Sequence, residues 1–167
     1  GSGTILDTAR LRYKLGEYFQ VSPNSVHAYI LGEHGDSSFP VWSTANIAGI
    51  NLRHLKRYNK KEMGRIFHET RNAAYEIIAK KGATYYAIGL GVSKIVNTIL
   101  SNQNGVLALS SHLKNYQGVK DVCLSVPTVI SRNGIKEHLV LPLNSLEKKQ
   151  LKKSASIIKG IIRQCGR

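Results

Sequence analysis

From Thr4 to Phe19 the apolar residues recur at helical rather than alternating spacing, and the run stops at Val21-Ser22-Pro23. Placed at ~100° per residue, Ile5, Leu6, Ala9, Leu11, Tyr13, Leu15, Tyr18 and Phe19 cover nearly the whole circumference. One narrow polar stripe remains, made by Asp7, Arg10, Lys14 and Glu17. The pattern predicts a largely buried helix whose stripe opens onto something polar. Thr4 stands at its N-cap with Asp7 in the capping-box position. Arg12 falls on the opposite side from Arg10, so the two guanidinium groups are expected to serve different places, Arg12 extending past its apolar neighbours to solvent.

The period then changes. Val26 to Leu31 reads as one strand, leading into the turn Gly32-Glu33-His34-Gly35-Asp36-Ser37-Ser38. Two glycines beside a histidine allow the positive φ of a tight turn and leave space next to the ring. Phe39 to Ser43 begins a second extended segment with Trp42 as a core or rim anchor, and Asn51-Leu52 ends it. Lys60 to Lys81 is a long amphipathic helix stopped at Gly82. Another follows from about Thr84 to Ser101, with Thr84, Ile88, Gly91 and Ile95 on one face. Strands are expected at Val106–Ser110, at Val122–Val126 ending before Pro127, and at Glu137–Leu141 ending before Pro142. Asn133-Gly134 signals a hairpin. Asn144 with Glu147 caps a last helix running to about Gln164. Helices and antiparallel strands that do not alternate make the class α+β, with long helices packed on antiparallel strands.

At 167 residues the chain is long enough for one domain with a real core. No apolar run approaches the ~18 residues of a membrane span, and the first residues lack the features of a secretion signal. The missing initiator Met suggests a fragment or a processed product. Cys123 and Cys165 stand far apart, which fits a reduced, cytoplasmic protein. The net charge of +14 draws attention to anions, nucleic acid first. The basic clusters Arg53–Lys61 and Lys148–Lys153 read instead as solvated faces, and no zinc-finger spacing or aromatic-basic repeat accompanies them. Specific nucleic-acid binding is therefore not expected.

Familiar catalytic motifs are absent from the sequence. After His68-Glu69, Asn72 occupies the position where a second metal-binding histidine would be needed. Gly89-x-Gly91 leads to Lys94 and Gly1-x-Gly3 to Leu6, neither with a preceding strand, so the chain carries no dinucleotide fingerprint of its own. What remains is His34 on its turn and the i, i+3 pair Asp7 and Arg10. Two readings stay open for that pair. One is an intrahelical salt bridge with a cap. In the other, the carboxylate accepts a ring N–H of His34, fixing its tautomer and raising its pKa, while the guanidinium holds a substrate carboxylate in two prongs.

Gly3-Thr-Ile-Leu-Asp7-Thr-Ala-Arg10-Leu-Arg12 and Gly32-Glu-His34-Gly-Asp-Ser resemble the two catalytic motifs of the L-lactate dehydrogenases. The likeness continues through Val41-Trp42-Ser43, Ala83-Thr84-Tyr85-Tyr86, Val126-Pro127 and Asn133-Gly134, and so covers essentially all of residues 1–167. It covers only the C-terminal, substrate-binding half of that family's subunit, without the N-terminal NAD-binding domain. By resemblance, His34 is the proton donor and acceptor for pyruvate and L-lactate, Asp7 its orienting partner, and Arg10 the clamp on the substrate carboxylate. Thr84 supplies a pocket hydroxyl, although spacing alone makes it a helix cap. Ile88 lies beside the nicotinamide of NAD. In bacterial members activated by fructose 1,6-bisphosphate, residues at the positions of Arg12 and His27 bind the effector phosphates between subunits of a homotetramer. The family's mobile loop and the position that separates pyruvate from oxaloacetate are absent. Malate dehydrogenase is thus the nearest alternative, and a basic, non-catalytic binding module is the alternative of another class. The domain alone is expected to be inactive, and no metal is implied.

Overall fold

The computed structural model describes residues 1–166. In chain order the elements are α1 (Ile5–Phe19), β1 (Val26–His27), β2 (Ile30–Leu31), β3 (Phe39–Pro40), β4 (Asn46–Ile47), β5 (Ile50–Asn51), α2 (Lys60–Lys81), α3 (Tyr86–Leu100), β6 (Gly105–Leu113), β7 (Val122–Ser131), β8 (Gly134–His138) and α4 (Ser145–Cys165). Three antiparallel sheets result, β1-β4-β5, β2-β3 and β6-β7-β8. This is the expected α+β arrangement.

Helix α1 packs by one face rather than all round. Leu11, Leu15 and Phe19 join Val26, Ala28, Ile30, Leu52, Met63 and Ile66 in one buried cluster, with Trp42 at its rim. Ala9 and Tyr13 face outward, Tyr13 at 55% exposure, which corrects the expectation of near-complete burial. Their apolar face instead borders a groove of about 660 Å³ between α1, α3 and β6. Thr4 occupies the N-cap position without capping: its φ of −93° and ψ of 24° are not extended, and its hydroxyl donates to the carbonyl of Ile30 at 2.6 Å. No capping box forms with Asp7. Lacking that tie, the Asp7 side chain is available elsewhere.

The single strand expected over Val26–Leu31 divides into β1 and β2, which belong to different sheets. Side chains of α1 take the backbone groups that a continuous ladder would use. Arg12 Nε donates to Ala28 O at 2.9 Å, and Ile30 N donates to the Thr8 hydroxyl at 3.1 Å. Helix α2 has the expected bounds, with Asn59 accepting from Lys61 N and Glu62 N, and Gly82 ending it at φ +76°. Helix α3 starts two residues later than expected, and Thr84 lies exposed in the link before it. On the inner face of α3, Gly91 lets Leu6 approach to 3.3 Å of where a Cβ would stand.

Strand β7 runs through Pro127 instead of ending there, although it is the central strand. Pro127 O accepts from Leu139 N, so its missing N–H faces that same side, just past the end of β8. The hairpin turns on Arg132-Asn133, with Ser131 opposite Gly134 and only Gly134 at positive φ. A tight turn with Gly134 as its last residue replaces the expected Asn-Gly centre, and the ladder shifts register farther on, between Val129 and Ile130. Strand β8 stops at His138 because Tyr116 substitutes for the ladder: its hydroxyl donates to Leu139 O and accepts from Leu141 N. Helix α4 carries the expected capping box of Asn144 and Glu147, and buried Glu147 also accepts from Ser43 N and its hydroxyl. Leu151 and Ala155 seat α4 against Leu31, Leu113, Leu124 and Val126. The two basic clusters read as solvated faces are exposed at their lysines and arginines.

Candidate active site

Three elements meet at the turn that carries His34. Gly32 is bridged to Ser125 of β7 by two backbone bonds, Gly32 N to Ser125 O at 3.1 Å and Ser125 N to Gly32 O at 2.8 Å. The Ser125 hydroxyl accepts from Thr4 N at 3.1 Å, which fixes the start of α1 to the same point. From α4, Ser154 Oγ accepts from Glu33 N at 2.8 Å and lies 3.0 Å from Ser37 Oγ. Glu33 closes the turn by accepting from Ser37 N. Gly32 adopts φ +100° and a Cβ there would come within 2.7 Å of Ser154 Oγ, whereas Gly35 has no positive φ, so only the first glycine is demanded by conformation. Gly32→Ala is expected to cost about 2–3 kcal/mol in urea unfolding, from backbone strain plus that clash.

This framework sets His34 Nδ1 at 2.8 Å from Asp7 Oδ2. An ionised carboxylate only accepts, so Nδ1–H donates and the other ring nitrogen, Nε2, faces outward. His34 is 56% exposed at the side chain and Asp7 only 11%. Arg10 Nη1 approaches the other Asp7 oxygen to 3.6 Å, close enough for charge but not for a hydrogen bond. Of the two readings left open by spacing, the carboxylate therefore serves the imidazole first. The hydrogen bond that His34 donates to Asp7 raises the His34 pKa above its ordinary 6.5, the carboxylate's charge adds to this, and partial burial and the Arg10 cation act in opposition. The charged ring is thus favoured relative to a free imidazole. The pair's contribution to stability is complete below pH 6.5 and fades as pH rises through the raised value. Solvent keeps that contribution small.

The remaining expected site residues lie apart from this trio. Thr84 is exposed, makes no hydrogen bond among the described residues and caps nothing. Ile88 is half-buried on the first turn of α3. Arg12 does not reach past its neighbours to solvent. It folds back onto Ala28 O, with its guanidinium 4.8 Å from the centre of the Tyr29 ring. His27 is exposed on β1, one residue before that carbonyl. Arg10 and Arg12 turn toward different partners yet both border the α1–α3 groove, which touches neither Asp7 nor His34.

Ser125, Ser154 and Arg71, whose Nη1 donates to Asp36 O at 3.3 Å, were not singled out by sequence. The signal for the serines was faint: a single hydroxyl among Val122–Pro127 and another on the buried face of α4. Among the described residues no group of three or more metal-ligating side chains occurs. No described helix is long and apolar enough to cross a membrane. Among the described residues the sheets contain no parallel pair, and no glycine-rich turn leads from a strand into a helix.

The chain matches the lactate/malate dehydrogenase, alpha/beta C-terminal domain family over residues 4–166. It is 51% identical over 166 residues to L-lactate dehydrogenase 1 of Peribacillus psychrosaccharolyticus, covering 97% of this chain and 52% of that protein. It is 50% identical to L-lactate dehydrogenase of Bacillus caldolyticus over the same shares. The chain therefore spans about half the length of the curated relatives it matches. Among solved structures, a lactate dehydrogenase from a Medee basin deep-sea metagenome library superimposes with a TM-score of 0.95 at 38% identity, covering 100% of this chain and 55% of that one. The minor L-lactate dehydrogenase of Enterococcus mundtii gives 0.94 at 38% identity, covering 98% and 54%. With a family match along nearly its whole length and close relatives of one kind, this chain belongs to the lactate/malate dehydrogenase family and forms its alpha/beta C-terminal domain.

Proposed function

We propose that the chain is the substrate-binding half of an NAD-dependent L-lactate dehydrogenase. The observation that carries this reading is the 2.8 Å bond between His34 and Asp7, with Arg10 on the same carboxylate. In pyruvate reduction, imidazolium at His34 Nε2 donates a proton to the carbonyl oxygen as it becomes a hydroxyl. In lactate oxidation the neutral ring takes that proton back, with Asp7 stabilising the charge on the ring in both directions. Arg10 binds the substrate carboxylate through its planar fork. Thr84 lends a hydroxyl to the pocket, and Ile88 offers an apolar surface to the nicotinamide. A separate nucleotide-binding domain would hold the cofactor, which as NADH would supply hydride for pyruvate reduction and as NAD+ would accept it in lactate oxidation. L-lactate is favoured over L-malate because the relatives named above are lactate dehydrogenases. As in the bacterial homotetramers of the family, the enzyme assembles in the cytoplasm.

The test uses the intact enzyme with pyruvate and NADH, and oxaloacetate as the competing substrate. Asp7→Asn removes the main cause of the raised His34 pKa, so the alkaline limb of kcat/KM for pyruvate moves to lower pH and activity at neutral pH falls. An unmoved limb would sink the reading, and preference for oxaloacetate would move it to malate. The domain alone, given the same reagents, shows no turnover above background, because it lacks positioning that contributes ~7–11 kcal/mol.

Arg12 and His27 extend the proposal to activation by fructose 1,6-bisphosphate. What supports it is the Arg12 guanidinium held beside Ala28, next in the chain to exposed His27. An intact enzyme carrying Arg12→Gln and His27→Gln keeps its basal rate and loses activation by the sugar bisphosphate. Full activation in that variant rules the effector site out.

A further inference from the structure

Helix α4 carries Lys148, Lys149, Lys152, Lys153, Lys159 and Arg163 against one acid, Glu147, which is buried and already engaged by Ser43 and Asn144. At ~100° per residue, Lys152, Ser156, Lys159 and Arg163 fall on one strip beside the buried face, spanning roughly 16 Å. Lys120 joins them from the turn between β6 and β7, and the group lines a depression of about 370 Å³.

The turn is firmly held. Tyr116 and Val119 exchange both backbone hydrogen bonds, and the buried Tyr116 ring is anchored through its hydroxyl to Leu139 O. Among the described residues none of the four cations has a carboxylate partner, the ion pairs all lying elsewhere. Gly160 adds a second observation. Glycine inside a helix is unfavourable, and nothing lies within 4 Å of where its Cβ would stand, so packing does not require it. Its effect is to leave the depression open beside Lys159.

We propose that this depression binds a compact, phosphate-rich anion. Four cations from two elements, unpaired among the described residues, call for a ligand with several negative charges in a small volume, which adjoining phosphate groups supply. Arg163 offers a fork matched to phosphate oxygens, and the lysines offer mobile point charges. The short reach of the cation group, roughly 16 Å along α4, favours a small ligand over a long strand. The site is separate from Arg12 and His27, neither of which lines it.

Titration calorimetry of the intact protein with inorganic tripolyphosphate tests this. Saturable binding is expected, weakening as salt rises. Lys152→Gln with Lys159→Gln lowers affinity about tenfold or more, the effect of losing two charge-assisted contacts. The charge-matched pair Lys60→Gln with Lys61→Gln, exposed at the start of α2, and the pair Arg12→Gln with His27→Gln both leave it unchanged. Equal weakening by the charge-matched pair, loss only in the Arg12 and His27 variant, or no saturable binding would overturn the proposal. Vesicles of phosphatidylcholine with phosphatidylinositol bisphosphate separate the sources. Capture that the Lys152/Lys159 variant abolishes identifies a lipid headgroup, and binding of tripolyphosphate without capture identifies a free phosphate. Single-stranded RNA that binds more tightly than tripolyphosphate, and is weakened alike by both lysine pairs, would also overturn it.

Discussion

Replacing His34 with glutamine in the intact enzyme is expected to lower kcat for pyruvate reduction by roughly 10²–10⁴-fold, the usual worth of a positioned acid. Glutamine retains a polar side chain of similar reach but cannot donate a proton and regain it at neutral pH. Folding is expected to survive, because the ring is more than half exposed and the turn is held by Ser125 and Ser154 rather than by the imidazole. The pH profile provides the sharper check. The wild-type rate of reduction falls as pH rises through the raised His34 pKa, and the variant's residual rate lacks that limb. A variant within tenfold of wild type with the limb intact would remove His34 from the mechanism.

Arg10 is the second large effect, and two substitutions separate its charge from its shape. Arg10→Gln loses both prongs on the substrate carboxylate. Each charge-assisted bond is worth about 1.5–3 kcal/mol, so kcat/KM should fall by roughly 10²–10⁴-fold. Its cation also holds the His34 pKa down, so its removal moves the alkaline limb to higher pH, opposite to the Asp7→Asn shift. Arg10→Lys keeps a cation and therefore leaves the limb nearly where it was, yet most of the binding loss remains because an ammonium cannot form the fork. Steady-state kinetics across pH read both quantities from one data set. A lysine variant that restores wild-type kcat/KM would show that Arg10 acts only by charge.

What could be read in the sequence followed from local rules. Lys60–Lys81 and the Asn144–Glu147 box have their signals within one turn of the residues they control, and both have the expected bounds. The family membership and the α+β class were equally legible, because the motif residues cluster in two short stretches. Long-range competition was not. Nothing near Thr4 announces that the carbonyl of Ile30 will claim its hydroxyl, or that Arg12 will occupy Ala28 O and divide a strand. Pro127 ends a strand by local rule, and only the far end of β8 explains why it does not. The candidate site residues show the same division. Asp7, Arg10 and His34 carry their chemistry in their side chains, whereas Ser125 and Ser154 matter only through partners about 120 positions away.

Ser154 has a consequence for how the protein is made. The turn that aims His34 leans on α4, the last described element to leave the ribosome. Glu33 N and the Ser154 hydroxyl are separated by 121 residues, roughly ten seconds of synthesis at ordinary rates. Through that interval α1 and the turn can exist as nascent chain while one support of the turn is still unwritten. A truncated message yields a polypeptide that contains Asp7, Arg10 and His34 but lacks the helix that steadies their arrangement. The geometry around His34 thus becomes complete only once α4 has been synthesised.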